Sequence, residues 1–236
     1  MSSSRSFRLL DLCCGGGGMS VGYARAGFEV VGVDLNEQPG YPFEFWHMSA
    51  MAINYEQLDL FDAIHASPPC QNYTTITAAA RKRGKVYPDI YREVKTMLVA
   101  SGKPYIIENV PGSPAKGIGL CGTMFGLGVF RHRLFESNIP LVLPDQPCTC
   151  KSKRIGDEYV TVAGDSSTKI AGLKAMGIDW MPLKRQLVEA MPPAYGEFIG
   201  RQLMSYLEQQ ESERSPLMLH RNVRGAGVLV TQPPLF

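Results

Sequence analysis

Four stretches and one acidic residue in this chain carry groups that could do chemistry together. The first stretch, Cys13-Cys14-Gly15-Gly16-Gly17-Gly18, is a turn almost free of side chains. Such a turn lets backbone N–H groups approach a bound molecule closely, and at a helix start those groups favour a polar or anionic ligand. Asp34 follows about 20 residues later, where an acidic side chain closing the next strand can hold two ribose hydroxyls. The pair describes a nucleotide-like cofactor, although a glycine-rich turn alone is as often only a turn.

Ser67-Pro68-Pro69-Cys70-Gln71 is more informative. Two prolines fix φ and remove backbone donors, so the chain leaves the preceding strand rigid and extended. A free cysteine is usually a small buried hydrophobe, and that reading suits Cys13, Cys14 and Cys121. A thiol just after a rigid polar turn reads better as a nucleophile, and Cys70 is the candidate. Glu108-Asn109-Val110-Pro111 closes another apolar run. Desolvation at a strand end favours a protonated carboxyl, so Glu108 reads as a proton donor. In Arg131-His132-Arg133 the two arginines share one side of an extended segment, where they could hold a phosphate or ring carbonyl and lower a thiol's pKa.

These groups need a scaffold that brings them to one edge. Residues 7–34 read as strand (Phe7–Leu12), glycine turn, helix (Met19–Ala26) and strand (Glu29–Asp34), a βαβ start. Further strands are expected at Phe61–Ala66 and Tyr105–Glu108, with a helix over Ile90–Ser101 between them. Alternating strands and helices predict an α/β fold with a doubly wound, mostly parallel sheet, whose ligands lie beyond the carboxyl ends of the strands. Residues 1–138 form the catalytic and cofactor-binding part. Residues 139–180, with a strand candidate at Tyr159–Ala163, read as a small irregular lobe. Helical periodicity returns over 181–210, broken by Pro192-Pro193, and 211–236 reads as a flexible tail.

Composition sets the outer limits. The chain has 236 residues, 44% hydrophobic and 19% charged, enough apolar material for a core and too much for a disordered chain. No apolar run is long enough for a membrane span and no signal-like region is seen, so a cytoplasmic protein is expected. The net charge of +2 leaves nucleic acid open, since a local basic face is sufficient. Six cysteines, with an adjacent pair and a C-x-C, look unlike a secreted disulfide framework and suit a reducing compartment.

In this order and spacing, Asp11–Gly18, Gly32-Val33-Asp34, Ser67–Gln71, Glu108-Asn109-Val110 and Arg131-His132-Arg133 resemble the DNA (cytosine-5)-methyltransferases. Glu189-Ala190-Met191-Pro192-Pro193-Ala194-Tyr195 looks like that family's closing motif, and the resemblance covers roughly residues 7–207. The short length is most similar to bacteriophage and bacterial members, including those of restriction-modification systems. The resemblance implies a Rossmann-like, S-adenosylmethionine-dependent fold and methyl transfer to C5 of cytosine in DNA. Cys70 would add to C6, with Glu108, Arg131 and Arg133 completing the catalytic set. Leu12, Cys13, Cys14, Gly15, Gly17, Gly18, Asp34, Leu35, Ser49, Pro68, Glu189 and Met191 would line the cofactor pocket. The target base would flip out of the stack, and the loop after Cys70 would close over it. Gln71, Arg81, Lys82, Arg83 and Lys85 would contact the DNA. Residues 139–180 would read the recognition sequence.

This sequence departs from the family at Cys13, where a Phe is usual, at Ser49, where an Asp is common, at Val129 for Gln and at Glu189 for Asn. The first two bear on cofactor binding and leave a modified sulfonium analogue as an alternative donor. Other readings are the same chemistry on tRNA, transfer of a larger group, and a catalytically silent DNA-binding module. The Cys148-Thr149-Cys150 pair lacks a matched partner pair in sequence, so no metal is expected. The partner expected is cytosine-containing DNA, bound by a monomer, without a membrane.

Overall fold

The computed structural model describes residues 5–153, 159–164 and 166–214. Among the described residues seven strands form one sheet: β1 (Arg8–Leu12), β2 (Glu29–Asp34), β3 (Glu44–His47), β4 (Ala63–Ala66), β5 (Tyr105–Asn109), β6 (Ile118–Leu120) and β7 (Arg133–Ser137). Their order is β3-β2-β1-β4-β5-β7-β6. Neighbours from β3 to β5 pair in parallel, while β7 runs antiparallel to both β5 and β6. The sheet is therefore the mostly parallel, doubly wound one expected. The order reverses between β1 and β4, so the crevice beyond their carboxyl ends is the place for a ligand.

Helices α1 (Gly18–Arg25), α2 (Tyr55–Asp59), α3 (Ala78–Lys82), α4 (Tyr91–Ser101), α5 (Lys169–Met176), α6 (Lys184–Glu189) and α7 (Pro193–Arg214) cover the sheet and its loops. Side chains alternate along β1, and this divides the core. Leu9 joins Phe7, Tyr23, Phe28, Ile106, Phe135, Tyr195 and Leu203 on the face under α1 and α7. Leu10 and Leu12 join Val31, Val33, Ile64, Ile107, Val94 and Leu98 on the face under α4. Strands buried on both faces explain the near-continuous apolar runs. A third, smaller cluster gathers Val129, Val162, Met176, Ile178, Met181 and Leu187 around the end of the sheet.

Three expectations change. The strand candidate at Tyr159–Ala163 is only an isolated parallel bridge between Val160 and Val129. Helix α7 continues through Glu211–Arg214, past the start of the expected tail, because these polar, straight-chain residues have good helix propensity and nothing breaks the run. Residues 215–236 of that tail lie outside the described residues. Strands β3 and β6 were not expected; each is only three or four residues long, with mixed burial. Among the described residues no helix is long and apolar enough to cross a membrane.

Candidate active site

Strand register brings the chemical groups to one edge. Leu12 lies beside Val33 on β2 and Ala66 on β4, so the turns after these three strands emerge together. Asn109 faces Leu134, which places the end of β5 against the start of β7. Cys70, Glu108 and Arg133 thus come from three segments that the sheet forces into proximity. The Arg133 Nε lies 2.9 Å from Glu108 Oε1, and Glu108 is 5% exposed. Burial pushes the Cys70 thiol above its ordinary pKa, the Arg133 charge pulls it down, Glu108 raises it and Arg131 lowers it. A thiol at this spot feels all three charged neighbours.

The loop that carries Cys70 is braced from several sides. Asn109 donates Nδ2–H to the Pro68 carbonyl at 3.0 Å, tying β5 to the two prolines. The Cys70 carbonyl accepts the N–H groups of Tyr73 and Thr74. His65, on β4, is fully buried with Tyr23 Oη 2.9 Å from Nδ1 and Ser67 Oγ 2.9 Å from Nε2. This chain of contacts runs from α1 to the foot of the Pro-Pro-Cys turn. Sequence reasoning passed over His65; a polar residue inside an apolar strand was the available signal.

Burial lowers the His65 pKa from its usual 6.5 to about 3, so the folded protein keeps the ring neutral. The unfolded chain binds that proton more readily, so this stabilisation is full above pH 6.5 and fades as the pH falls towards 3. The His65 ring resonance, followed by NMR, should hold its neutral position down to pH 5. A resonance that titrates near its ordinary value would refute the buried neutral relay.

Two predicted site residues act differently from expectation. Arg131 is 4% exposed. It donates from Nη1 to the Val162 carbonyl at 2.8 Å and from Nη2 to the Val188 carbonyl at 2.7 Å. It braces the lobe and α6 against the sheet, and among the described residues its Nε finds no partner. Arg81, expected on DNA, folds back instead, because the loop carbonyls it turns to need donors. Its Nη1 lies 2.6 Å from the Gln71 carbonyl and 2.9 Å from that of Thr74. Lys82, Arg83 and Lys85 do stand exposed on the same loop, Lys85 with its ammonium 5.0 Å from the Tyr87 ring centroid. Among the described residues Gln71 Oε1 is buried without a partner.

The glycine turn divides between two roles. A Cβ built on Gly15 would meet nothing within 4 Å, which is the open approach a cofactor needs. Gly18 differs, since a Cβ there would fall 2.0 Å from the Met191 carbonyl oxygen. Its lack of a side chain lets α1 pack beneath the segment leading to α7, so its glycine is required by packing. A Cβ on Gly17 would lie 2.9 Å from the Tyr41 ring. Cys13 takes φ 57°, the left-handed region that a non-glycine residue seldom enters.

Asp34 accepts the Gly15 N–H at 3.0 Å and the Asn36 N–H at 2.9 Å, one on each oxygen. The carboxylate therefore shapes the turn while keeping lone pairs for hydroxyls. Ser49 caps a short helical turn by accepting from Met51 N–H at 3.2 Å. Leu12 and Pro68 are buried, and Leu35 is exposed beside Asp34. Glu189 reaches solvent, yet desolvation and the Asp34 charge raise its pKa, which places it near the same pocket.

The C-x-C pair also has partners after all, in space and not in sequence. Cys121, His132, Cys148 and Cys150 converge so that their ligand atoms all lie within 4.8 Å of one another.

Residues 7–115 match the model of the C-5 cytosine-specific DNA methylases. The chain is 30% identical over 121 residues to the type II methyltransferase M.FnuDI of Fusobacterium nucleatum, a match covering 46% of this chain and 34% of that protein. It is 29% identical over 124 residues to a ubiquinone biosynthesis O-methyltransferase of Aromatoleum aromaticum, covering 44% of this chain and 53% of that protein. The chain therefore spans about a third to a half of the length of these curated relatives. The fold is shared with a prophage-encoded E. coli protein assigned as a DNA modification methyltransferase. That likeness has a TM-score of 0.59 at 16% identity, covering 86% of this chain and 100% of the other. Residues 7–115, the part that carries the glycine turn, Asp34, Cys70 and Glu108, are thus the part of the chain that is similar to the C-5 cytosine-specific DNA methylases.

Proposed function

We propose that this protein methylates C5 of cytosine in DNA through a covalent bond between Cys70 and C6 of the base. The observation that carries the reading is the convergence of the Cys70 thiol with the buried Glu108–Arg133 pair at the open edge of the sheet. Cytosine C5 is a poor nucleophile, so the ring must first be activated. The Cys70 thiolate adds to C6, and the ring electrons move towards N3. Glu108 faces N3 and the exocyclic amine, where it holds a proton against the developing charge. Once C5 carried a methyl group, taken from a sulfonium donor that would leave as the neutral thioether, loss of the C5 proton would re-form the C5=C6 double bond and Cys70 would depart with the C–S electron pair. Arg133 keeps Glu108 oriented and lowers the cost of the thiolate.

S-adenosylmethionine fits as the donor, because Gly15 is open and Asp34 keeps unused lone pairs beside it. Bound there it would supply an electrophilic methyl group. Gly15, Asp34, Leu35, Glu189 and the half-buried Cys13 would hold it. A target inside a duplex must leave the stack to reach Cys70, and the cationic loop between Gln71 and Pro88 would follow it.

Transfer of label from methyl-labelled S-adenosylmethionine to duplex DNA, single-stranded DNA and tRNA tests the reading. Label at cytosine C5 in DNA is expected. Label confined to tRNA, or its absence from all three, would overturn it.

The loop makes a separate prediction. Neutralising Lys82, Arg83 and Lys85 together should weaken binding about equally across DNA sequences. It should also flatten the dependence of log K on log salt by roughly 0.9 for each phosphate that is no longer neutralised. Arg81→Ala should instead disturb the loop's own fold, since its donors serve carbonyls. A change of sequence preference at constant salt slope would mean that the three cations read bases.

A further inference from the structure

We propose that Cys121, His132, Cys148 and Cys150 hold a structural zinc ion that fastens the 139–180 segment to the edge of the sheet. Zinc binds thiolate at about 2.3 Å and imidazole nitrogen at about 2.0–2.1 Å, so a tetrahedron sets neighbouring sulfurs about 3.8 Å apart and sulfur and nitrogen about 3.5 Å apart. The His132 Nε2 lies 3.5 Å from the Cys148 Sγ and 3.3 Å from the Cys150 Sγ. The two sulfurs of the C-x-C are 3.2 Å apart, and the Cys121 Sγ stays within the 4.8 Å limit of all three. Shifts of well under an ångström for these three pairs, and of at most about one for Cys121, complete the polyhedron.

The ligands come from three pieces of chain. Cys121 follows β6 and begins the short helical turn Gly122–Phe125, His132 immediately precedes β7, and Cys148 and Cys150 belong to the loop beyond it. Thr123 supports the group from behind. Its Oγ1 is 3.5 Å from the Cys121 Sγ and 3.7 Å from the Cys148 Sγ, and it accepts the Thr149 N–H at 3.1 Å. A hydroxyl donating towards ligand sulfur is the outer contact that orients a metal site. A disulfide would use two sulfurs and leave an imidazole and a third thiol converging on nothing; all six cysteines are free. Four protein ligands leave no open position, so the site is structural and not catalytic.

Three thiols lose their protons on binding, and three thiolates with a neutral imidazole leave one net negative charge around the ion. The consequence reaches the active site. His132 stands between Arg131, which braces Val162 and Val188, and Arg133, which pairs with Glu108. Fixing His132 fixes the segment that aims both arginines.

Protein purified reduced and without chelator should contain one zinc ion per chain. Cys148→Ser and Cys150→Ser should each weaken zinc binding by roughly tenfold or more, while Cys13→Ala should keep it. Because a ligand variant can fail to fold, wild-type protein is also stripped, reduced and titrated with Co2+. One equivalent should give the intense visible bands and the thiolate-to-metal charge transfer of tetrahedral cobalt. A pale six-coordinate spectrum, no uptake of either metal by the reduced chain, or full zinc content in both serine variants would overturn the site.

Discussion

Cys70→Ala should abolish covalent capture of DNA containing 5-fluorocytosine and reduce methyl transfer on the order of 10⁴-fold or more. Fluorine at C5 cannot leave as a cation, so once the methyl group has arrived the Cys70–C6 bond has no route to break. Cys13→Ala should still form the adduct. Burial together with the charges of Asp34 and Asp11 pushes the Cys13 thiol up to about 12, so it holds almost no thiolate near neutrality. Desolvation raises the Cys70 pKa as well, but Arg133 opposes it there. Capture by the wild type should accelerate as the pH rises through the thiol's raised pKa. Arg133→Ala should move that limb to higher pH, since it removes a cation that favours thiolate. An adduct that survives Cys70→Ala would assign the nucleophile elsewhere.

The parallel sheet was legible because β1, β2, β4 and β5 are buried on both faces and end in punctuated turns. Their apolar runs and Gly or Pro stops announce them within a residue or two. Strands β3 and β6 were not, because each owes its conformation to a neighbour's edge more than to its own composition. Residue type singled out Cys70, Glu108 and Arg133 as candidates, and the pairing of β5 with β7 sets Glu108 and Arg133 2.9 Å apart. It could not tell which arginines turn to backbone carbonyls and which to a carboxylate. Arg81 and Arg131 spend their donors on backbone carbonyls that only the folded chain brings within reach. The fourfold cluster was hidden for a related reason: Cys121 follows β6 and His132 precedes β7, and they meet the C-x-C only once those two strands pair.

The Glu108–Arg133 pair separates two ways an arginine can serve the reaction. Truncating Arg133 leaves the Glu108 carboxylate at 5% exposure without its partner 2.9 Å away. Breaking a buried pair from one side typically costs about 3–5 kcal/mol. Arg133→Ala should therefore lower the urea midpoint, and adding Glu108→Gln should restore much of the loss, because a neutral amide tolerates burial better than an orphaned charge. The kinetic cycle asks more. Glu108→Gln keeps the shape and hydrogen-bonding pattern towards the base but cannot hold an acidic proton at N3. It should slow methyl transfer by roughly 10²–10³-fold with little change in KM for DNA. If Arg133 acts only by orienting Glu108 and favouring the Cys70 thiolate, its loss on the Glu108→Gln background should cost no more than the thiol's pKa change, and raising the pH should recover it. If Arg133 also grips the base or its phosphate, the double variant should lose further rate and raise KM at every pH. A Glu108→Gln enzyme with full rate would remove the carboxyl from the chemistry and leave the pair as a buried tie between β5 and β7.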